Sequence, residues 1–320
     1  MAPWLLWLLL VTGTGGVPLE PRAVPEPPRA VPEPPREIPE PPRAVPEPRA
    51  VSDAELRELS EQLLAADSNR AGPGQLELNL QGSGRLFARV SPSLLAVPTV
   101  SALLALLDNY EQRPGRAEAE PPEELQEQQR FLEAALATPV LALLERFVLH
   151  KGLYPSAEAF RADLHSMWFG LYSRSGGKVL DSCGFEHVFV GEVKKDAVSG
   201  CHNWVQLQAL ESAGRLQYLA APGTWAAFPD VLSLRFRWDG HLKARGSLLV
   251  GSSPEFDLAL FTLCFLARPG RQCHISLGAR LPPSRPTAGT SSACGLSVPP
   301  DPTVNSTEPP DPTVNPTGPP

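Results

Sequence analysis

Proline restricts the folding of this chain more than any other residue, because 38 of its 320 residues are proline and they concentrate at the two ends. Residues 17–51 repeat Pro-Arg-Ala-Val-Pro-Glu-Pro with small variations, and residues 282–320 form a Pro/Ser/Thr-rich tail. Proline donates no backbone hydrogen bond and restricts the residue before it, so we expect both ends to lack regular helices and sheets. The repeat predicts a polyproline II stalk, a spacer in preference to a ligand for a proline-binding module, and the tail is expected to be disordered. The folded domain is thereby confined to residues 52–281.

The first sixteen residues have the pattern of a secretory signal peptide. An apolar run from Trp4 to Val11 is followed by small residues, and cleavage is expected near Gly16. The run is too short to span a bilayer and no later segment replaces it, so we expect a secreted, extracellular protein with no membrane span. Asn305 begins an Asn-Ser-Thr acceptor for N-glycosylation, whereas Pro316 blocks the equivalent site in the second tail repeat.

Five cysteines in an exported protein predict disulfide bonds. Their positions favour the pairs Cys183–Cys201 and Cys264–Cys273 with Cys294 left over, while other pairings stay open. The net charge of −7 differs from the basic field of a protein that coats nucleic acid, but it is compatible with a nuclease whose local cleft engages a few phosphates.

Apolar periodicity predicts an α+β fold in which a helical N-terminal half precedes a mainly antiparallel sheet. The first half carries leucines at helical spacing, and the second carries segments that alternate between apolar and polar residues. Helices are predicted over 54–67, 123–150 with a break near Pro139, 156–172, 204–212 and 254–267, and strands over 185–193 and 231–238.

Two histidines and one lysine have the clearest chemical meaning. His187 and His202 are separated by fifteen positions, and Lys243 follows the strand predicted at 231–238. One imidazole can take the proton from a ribose 2′-hydroxyl, the other can give a proton to the leaving oxygen, and the lysine can stabilise the charge on the phosphate. Each of these residues alone is more often structural. A metal site made by His187, Glu192 and His202 is an alternative, although the spacing matches no standard zinc pattern.

An ordered series of motifs surrounds these residues between about positions 54 and 278. It includes Asp67-Ser68-Asn69-Arg70, Trp168-Phe169-Gly170-Leu171-Tyr172-Ser173-Arg174, Gly184-Phe185-Glu186-His187-Val188-Phe189, His202-Asn203-Trp204, Trp238-Asp239-Gly240 and Gly251-Ser252-Ser253-Pro254-Glu255-Phe256. In this order the motifs resemble the EndoU family, the uridylate-specific endoribonucleases, in its animal secreted type.

The resemblance implies an endoribonuclease that cleaves single-stranded RNA at uridylates, leaves 2′,3′-cyclic phosphate ends and uses manganese (Mn²⁺). The catalytic residues of the family fall on His187, His202 and Lys243, and its acidic residues near the site fall on Glu186 and Glu192. The resemblance assigns His202 as the general base and His187 as the general acid. We expect a monomer with RNA as its partner, and the resemblance does not locate the metal.

The chain departs from the family pattern after Leu277-Gly278, where the family continues through a further strand with a tyrosine that stacks on the uracil. Here Arg280-Leu281-Pro282-Pro283 leads into the tail, and the last tyrosine is Tyr218. The domain is therefore interpreted as shortened at its C-terminus. Either another residue selects the base, or the chain is a weakened or inactive RNA-binding scaffold on the same fold.

The sequence allows two placements of His202. Asn203 can cap a helix that puts His202 at a phosphate-binding helix N-terminus, or residues 185–209 can form a hairpin with Glu192 opposite His202. We prefer the helix, because the hairpin places the two histidines too far apart to act on one phosphate.

The roles of several side chains near the site also stay open. Glu186 and Glu192 are either surface charges or groups that tune the imidazole pKa values. Ser247, Ser252 and Arg245 are possible substrate contacts. Arg235, Arg237 and Arg245 form either a basic face near Lys243 or an ordinary outer sheet face, and Lys194-Lys195 either a solvated turn or an RNA contact.

Overall fold

The computed structural model describes residues 50–81, 84–221 and 230–278, together with a two-residue strand at 295–296. The signal peptide, residues 17–49 of the predicted stalk, Asn305 and Cys294 lie outside these residues. The strand at 295–296 pairs with residues 273–274, so the prediction of a disordered tail is wrong at that point. The helices are α1 (Asp53–Ala66), α2 (Pro92–Leu95), α3 (Pro98–Leu106), α4 (Pro122–Leu136), α5 (Pro139–His150), α6 (Ala157–Phe169), α7 (Trp204–Ser212) and α8 (Pro254–Ala267). The strands are β1 (Leu76–Leu78), β2 (Phe87–Val90), β3 (Glu192–Lys194), β4 (Ala197–Ser199), β5 (Leu216–Ala220), β6 (Asp230–Trp238), β7 (His241–Val250), β8 (Cys273–His274) and β9 (Gly295–Leu296).

The predicted helices are confirmed because their ends carry strong local signals. Ser52 and Glu55 form a reciprocal capping box at the start of α1, and the Ser156 and Ser253 side chains cap α6 and α8. Pro139 lacks the N–H that would continue α4, so the segment 123–150 divides there into α4 and α5. The short helix α3 was not predicted; it begins at Pro98 and is apolar over most of its surface.

The main sheet has the strand order β3-β4-β7-β6-β5, which matches the predicted α+β architecture. All its neighbours are antiparallel except β4 and β7, which meet in parallel at Ala197 and Leu242. The long β6–β7 hairpin contains a bulge. Leu234 pairs with Gly246 and Phe236 pairs with Lys243, so Arg235 stands opposite two residues, Ala244 and Arg245.

The core forms around α8, whose residues from Pro254 to Cys264 are all buried. This helix packs against α1, α3, α4 and α5, so it joins the helical half to the segment that follows the sheet. A disulfide bond from Cys264 to Cys273 fastens its C-terminal end to β8 and confirms one predicted pair. None of the helices in the described ranges is long and apolar enough to cross a bilayer.

The second predicted disulfide, Cys183–Cys201, is wrong, since both thiols are free and buried. The Cys183 sulfur accepts a hydrogen bond from the backbone N–H of Glu186, whereas the Cys201 side chain is packed against Gly191. The two side chains therefore contact different parts of the segment that carries His187.

Candidate active site

The segment around His187 is a π-helical turn, Glu186–Val190, and not the strand predicted over 185–193. Phe185, Val188 and Phe189 are all buried, and the Phe185 and Phe189 rings stack with centroids 4.9 Å apart. Phe185 and Phe189, at i and i+4, fit an alternating strand as well as one face of a helix, which explains the error, whereas Val188 at i+3 fits the helix alone. Gly191 ends the turn at φ 92°, a conformation that favours glycine.

Backbone hydrogen bonds bring His202 back to His187. The N–H of Cys201 donates to the His187 carbonyl at 3.0 Å, and the N–H of His202 donates to the Val188 carbonyl at 2.7 Å. The two imidazole centroids are 6.0 Å apart. The hairpin alternative is wrong because the β3–β4 hairpin pairs Glu192 with Ser199 and ends before His202.

Gly200 makes this close approach possible. Its φ is 65°, and a Cβ at this position would lie 2.0 Å from the His187 carbonyl oxygen. No side chain fits in that space, so glycine is required where the segments that carry His187 and His202 meet.

His202 is oriented by backbone. Its Nδ1 lies 2.7 Å from the Ser247 carbonyl oxygen, and because a carbonyl only accepts, Nδ1 carries the proton and Nε2 is the free acceptor. Burial, together with the positive charge of Lys243, lowers the pKa of His202 to about 3. The imidazole is therefore neutral at physiological pH.

The helix that follows His202 confirms the predicted cap but not the predicted phosphate site. The Asn203 side chain accepts hydrogen bonds from the N–H groups of Val205 and Gln206 at the start of α7. Those donors are thereby used within the protein. The Asn203 amide also donates to Asp257 on α8 at 2.9 Å, so this corner is tied to the core.

His187 is oriented by charged side chains. Its Nδ1 lies 2.7 Å from Nη1 of Arg174 and 3.3 Å from Oε2 of Glu192, and Arg174 and Glu192 form an ion pair at 2.5 Å. The Ser182 hydroxyl donates to the other oxygen of Glu192 at 2.6 Å. Arg174 has no role in the sequence predictions. It lies in a loop, and only the Ser173-Arg174 end of one motif pointed to it.

Opposing effects act on the pKa of His187 and Glu192. Burial lowers the pKa of His187, and the Glu192 hydrogen bond partly offsets this while the Arg174 charge adds to it. Burial acts to raise the pKa of Glu192, but the hydrogen bond from His187 and the Arg174 charge outweigh it and the net pKa is lowered. Glu192 is therefore a carboxylate at neutral pH.

Lys243 enters the site from the inner face of the sheet. Its side chain is nearly buried, and its Nζ donates to the Gly200 carbonyl at 2.9 Å. Burial lowers the pKa of Lys243. Gly246 leaves room for the lysine stem, since a Cβ there would lie 3.2 Å from the Lys243 Cγ. The lysine thus braces the same junction that holds the two histidines.

The other sequence-predicted site residues have mixed outcomes. Glu186 and Glu192 are fully buried, so the surface-charge interpretation is wrong. Burial and the Glu192 charge raise the pKa of Glu186 to about 9. Both carboxyl oxygens of Glu186 lack a partner among the described residues.

The predicted substrate contacts have different positions. Ser252 is buried and donates to Asp257, which rules it out as a substrate contact. Ser247 contributes its carbonyl to His202, and Arg245 is exposed on the outer sheet face, opposite to Lys243.

The described residues do not form a metal centre. No group of three or more His, Cys, Asp or Glu side chains in those ranges is arranged to hold a metal ion. The alternative of a site made by His187, Glu192 and His202 is thereby not supported. What the geometry does provide is a neutral imidazole, a second imidazole facing a carboxylate, and a buried cation, which are the parts of an acid–base catalyst of phosphoryl transfer.

Comparison with known proteins leads to the same class. The family model "Endoribonuclease XendoU" matches residues 55–283. The uridylate-specific endoribonuclease C of Xenopus laevis is 44% identical over 249 residues, covering 72% of this chain and 82% of that protein. The uridylate-specific endoribonuclease of Homo sapiens is 42% identical over 245 residues, covering 72% of this chain and 60% of that protein.

A solved structure agrees in fold. The structure of XendoU, described as a splicing-independent snoRNA-processing endoribonuclease, superposes with a TM-score of 0.63 at 35% identity and covers 71% of this chain and 89% of that one. The chain belongs to the XendoU family and is an endoribonuclease. This confirms the EndoU resemblance and implies RNA as the substrate.

Proposed function

We propose that this protein cleaves single-stranded RNA at uridylates by attack of the ribose 2′-hydroxyl, leaving a 2′,3′-cyclic phosphate and a free 5′-hydroxyl. The observation that carries the proposal is the pair of imidazoles 6.0 Å apart, one of which can only accept a proton at its free nitrogen. A separation of that size accommodates one phosphodiester between a base and an acid.

The proton transfers follow from the partners of each imidazole. His202 Nε2 takes the proton from the 2′-hydroxyl, and the oxygen attacks phosphorus. His187, in its imidazolium form, gives a proton to the departing 5′-oxygen, and the Glu192 carboxylate beside Nδ1 stabilises that form. The negative charge of a bound phosphate favours the same imidazolium, which opposes the effect of burial. Lys243 stabilises the additional charge on the phosphorane oxygens.

Selection of uridine rests on the relatives, which are named as uridylate-specific. Tyr218, the last tyrosine of the chain, does not supply a stacking ring, because it is buried and its hydroxyl donates to the Leu80 carbonyl. We therefore infer that another group contacts the uracil.

Manganese is proposed as an activator and not as part of the proton-transfer steps. The described side chains do not fit a metal site of the usual kind, since they bring no three ligands together. We infer that Mn²⁺ acts through the RNA phosphates. Removal of the metal by a chelator is expected to weaken RNA binding more than it changes the pH dependence of cleavage.

We also propose that the protein is secreted after loss of residues 1–16. The Cys264–Cys273 disulfide supports an oxidising compartment. Mass spectrometry of the medium from expressing cells is expected to find a new N-terminus near Val17 and glycan at Asn305. Retention of the intact chain inside the cell would contradict this.

The decisive experiment is cleavage of oligonucleotides that contain one uridine, cytidine, adenosine or guanosine in otherwise identical sequences, with analysis of the product ends. We expect cleavage after uridine and a cyclic phosphate, both lost in the His187→Ala and His202→Ala proteins. His150→Ala, at the exposed end of α5, is the matched control and keeps full activity. Intact RNA with salt-sensitive binding would instead favour the scaffold alternative.

A further inference from the structure

The active site lies at an edge of the sheet. Beyond Leu242, the edge of β7 that faces away from β6 is met by His202 at the Ser247 carbonyl and by a bridge between Asn203 and Leu249. No strand of the described chain pairs with β7 there. The main sheet therefore ends beside the active site, and its outer face begins at the same edge.

The β7 bulge gives the two faces different charges. It turns Lys243 and Gly246 inward, whereas Ala244 and Arg245 are both exposed on the outer face. Arg235 stands opposite the bulge and Arg237 lies two residues further along β6, both exposed. Three guanidinium groups thus share the outer face of β6 and β7, which we call the outer arginine face (Arg235, Arg237 and Arg245).

These arginines have no carboxylate partner among the described residues. Within the described ranges, the side chain of Arg237 donates to the Gly240 carbonyl at 2.8 Å and to no carboxylate. Between Val231 and Val250 the single acidic residue is Asp239, and it already pairs with Arg215 at 2.5 Å. Three arginines on one face without carboxylate partners among the described residues form a positively charged surface that is complementary to a polyanion.

One member of the outer arginine face lies close to the site. Arg245 is two residues from Ser247, so their Cα atoms are separated by about 7 Å along the strand. Planar guanidinium groups match phosphate oxygens better than lysine does.

We propose that the outer arginine face binds the sugar-phosphate backbone of the RNA that extends beyond the cleaved nucleotide. The inference rests on the proposed function for the identity of the partner, and it adds a binding surface on the opposite side of the sheet from Lys243. Substitutions on this face should therefore weaken the binding of long RNA without changing the proton transfers at His187 and His202.

The test compares a 30-nucleotide RNA that contains one uridine with the dinucleotide UpA. For the Arg235→Gln/Arg237→Gln/Arg245→Gln protein we expect kcat/KM on the long RNA to fall about tenfold at ~0.1 M salt, and kcat/KM on UpA to stay within about twofold. Each lost phosphate contact flattens the plot of log affinity against log salt by about 0.7, so the slope should fall by about 2.

Matched controls separate this surface from net charge and from folding. Arg57→Gln/Arg130→Gln/Arg146→Gln removes three exposed arginines from α1, α4 and α5 and should leave the salt slope unchanged. The double variant Arg235→Gln/Arg245→Gln keeps the Arg237 hydrogen bond and should lower the slope by about 1.4.

The outcomes are distinct. An unchanged slope in the triple variant, or an equal loss with the control, overturns the proposal and assigns the face to another kind of partner. If the wild-type protein cleaves neither RNA, the proposed function fails, yet fluorescence anisotropy of the bound 30-mer still measures the slope and decides on the surface.

Discussion

The two histidines to which we assign the proton transfers are neighbours that are held in opposite ways. His202 is fixed by a backbone carbonyl, which dictates where its proton sits. His187 is fixed by the side chains of Arg174 and Glu192, whose opposite charges compete at the same ring nitrogen. The protonation of His202 is therefore a property of the fold, whereas that of His187 depends on a balance of charges that single substitutions can change.

Removal of either imidazole should give the largest loss of activity. The leaving group of the substrate should distinguish the general base from the general acid. His187→Ala and His202→Ala are each expected to lower kcat/KM on UpA by about 10³-fold, because one proton transfer is lost. With uridine 3′-(4-nitrophenyl phosphate), whose leaving group needs no acid, His187→Ala should recover most of its activity and His202→Ala should not. Equal recovery in both proteins would contradict the assignment of base and acid.

Removal of the Arg174 charge should be next in size. Arg174→Gln is expected to lower kcat by about 30- to 100-fold through misplacement of the imidazole. Because the cation lowers the pKa of His187, its loss raises that pKa, and the alkaline limb of the pH–rate profile moves to higher pH. Arg161→Gln, which removes an exposed ion pair with Glu145, is the control and should leave the profile in place.

Neutralisation of Glu192 should move the alkaline limb of the pH–rate profile to lower pH. In Glu192→Gln the imidazolium of His187 loses its carboxylate, its pKa falls, and activity is lost at lower pH than in the wild type. We expect kcat at pH 8 to fall about tenfold, with a smaller loss at pH 6. A shift of the alkaline limb to higher pH, as expected for Arg174→Gln, would contradict the idea that Arg174 and Glu192 have opposite effects on the pKa of His187.

The smallest effect on activity is expected from the disulfide. Cys264→Ser/Cys273→Ser opens a short loop at the end of α8 and should lower the free energy of unfolding by about 2–3 kcal/mol. Neither histidine contacts these residues, so kcat and both limbs of the pH profile should stay unchanged at 25 °C. Thermal melting and the pH profile measured on one preparation check both statements.

Local signals made much of the fold predictable. Asn203 predicts the start of α7, and Ser253-Pro254 predicts the start of α8. Both signals are local, because a cap residue and a first-turn proline interact with backbone groups within one helical turn. The motifs that contain His187, His202 and Lys243 are equally short, and the structure brings these three residues together around Gly200.

Features that depend on distant contacts were not predictable. The turn at 186–190 is helical because its phenylalanines pack on the helical half, for example Phe189 against Phe131 and Trp168. Arg174 is significant only because the fold brings it to His187. The bulge that separates Lys243 from Arg245 follows from strand register, which alternation alone does not determine.

Each of the two unpaired cysteines precedes one of the two histidines in the chain, and their burial has a practical consequence. Cys183 and Cys201 are fully buried, and burial raises the pKa of the Cys201 thiol to about 12, so neither reacts as a thiolate in the closed protein. Iodoacetamide can alkylate these thiols only after the segments around His187 and His202 open locally. Peptide mapping of the labelling rate at Cys201, with and without a bound oligonucleotide, then measures how often the junction of the His187 and His202 segments opens and how strongly the RNA stabilises it.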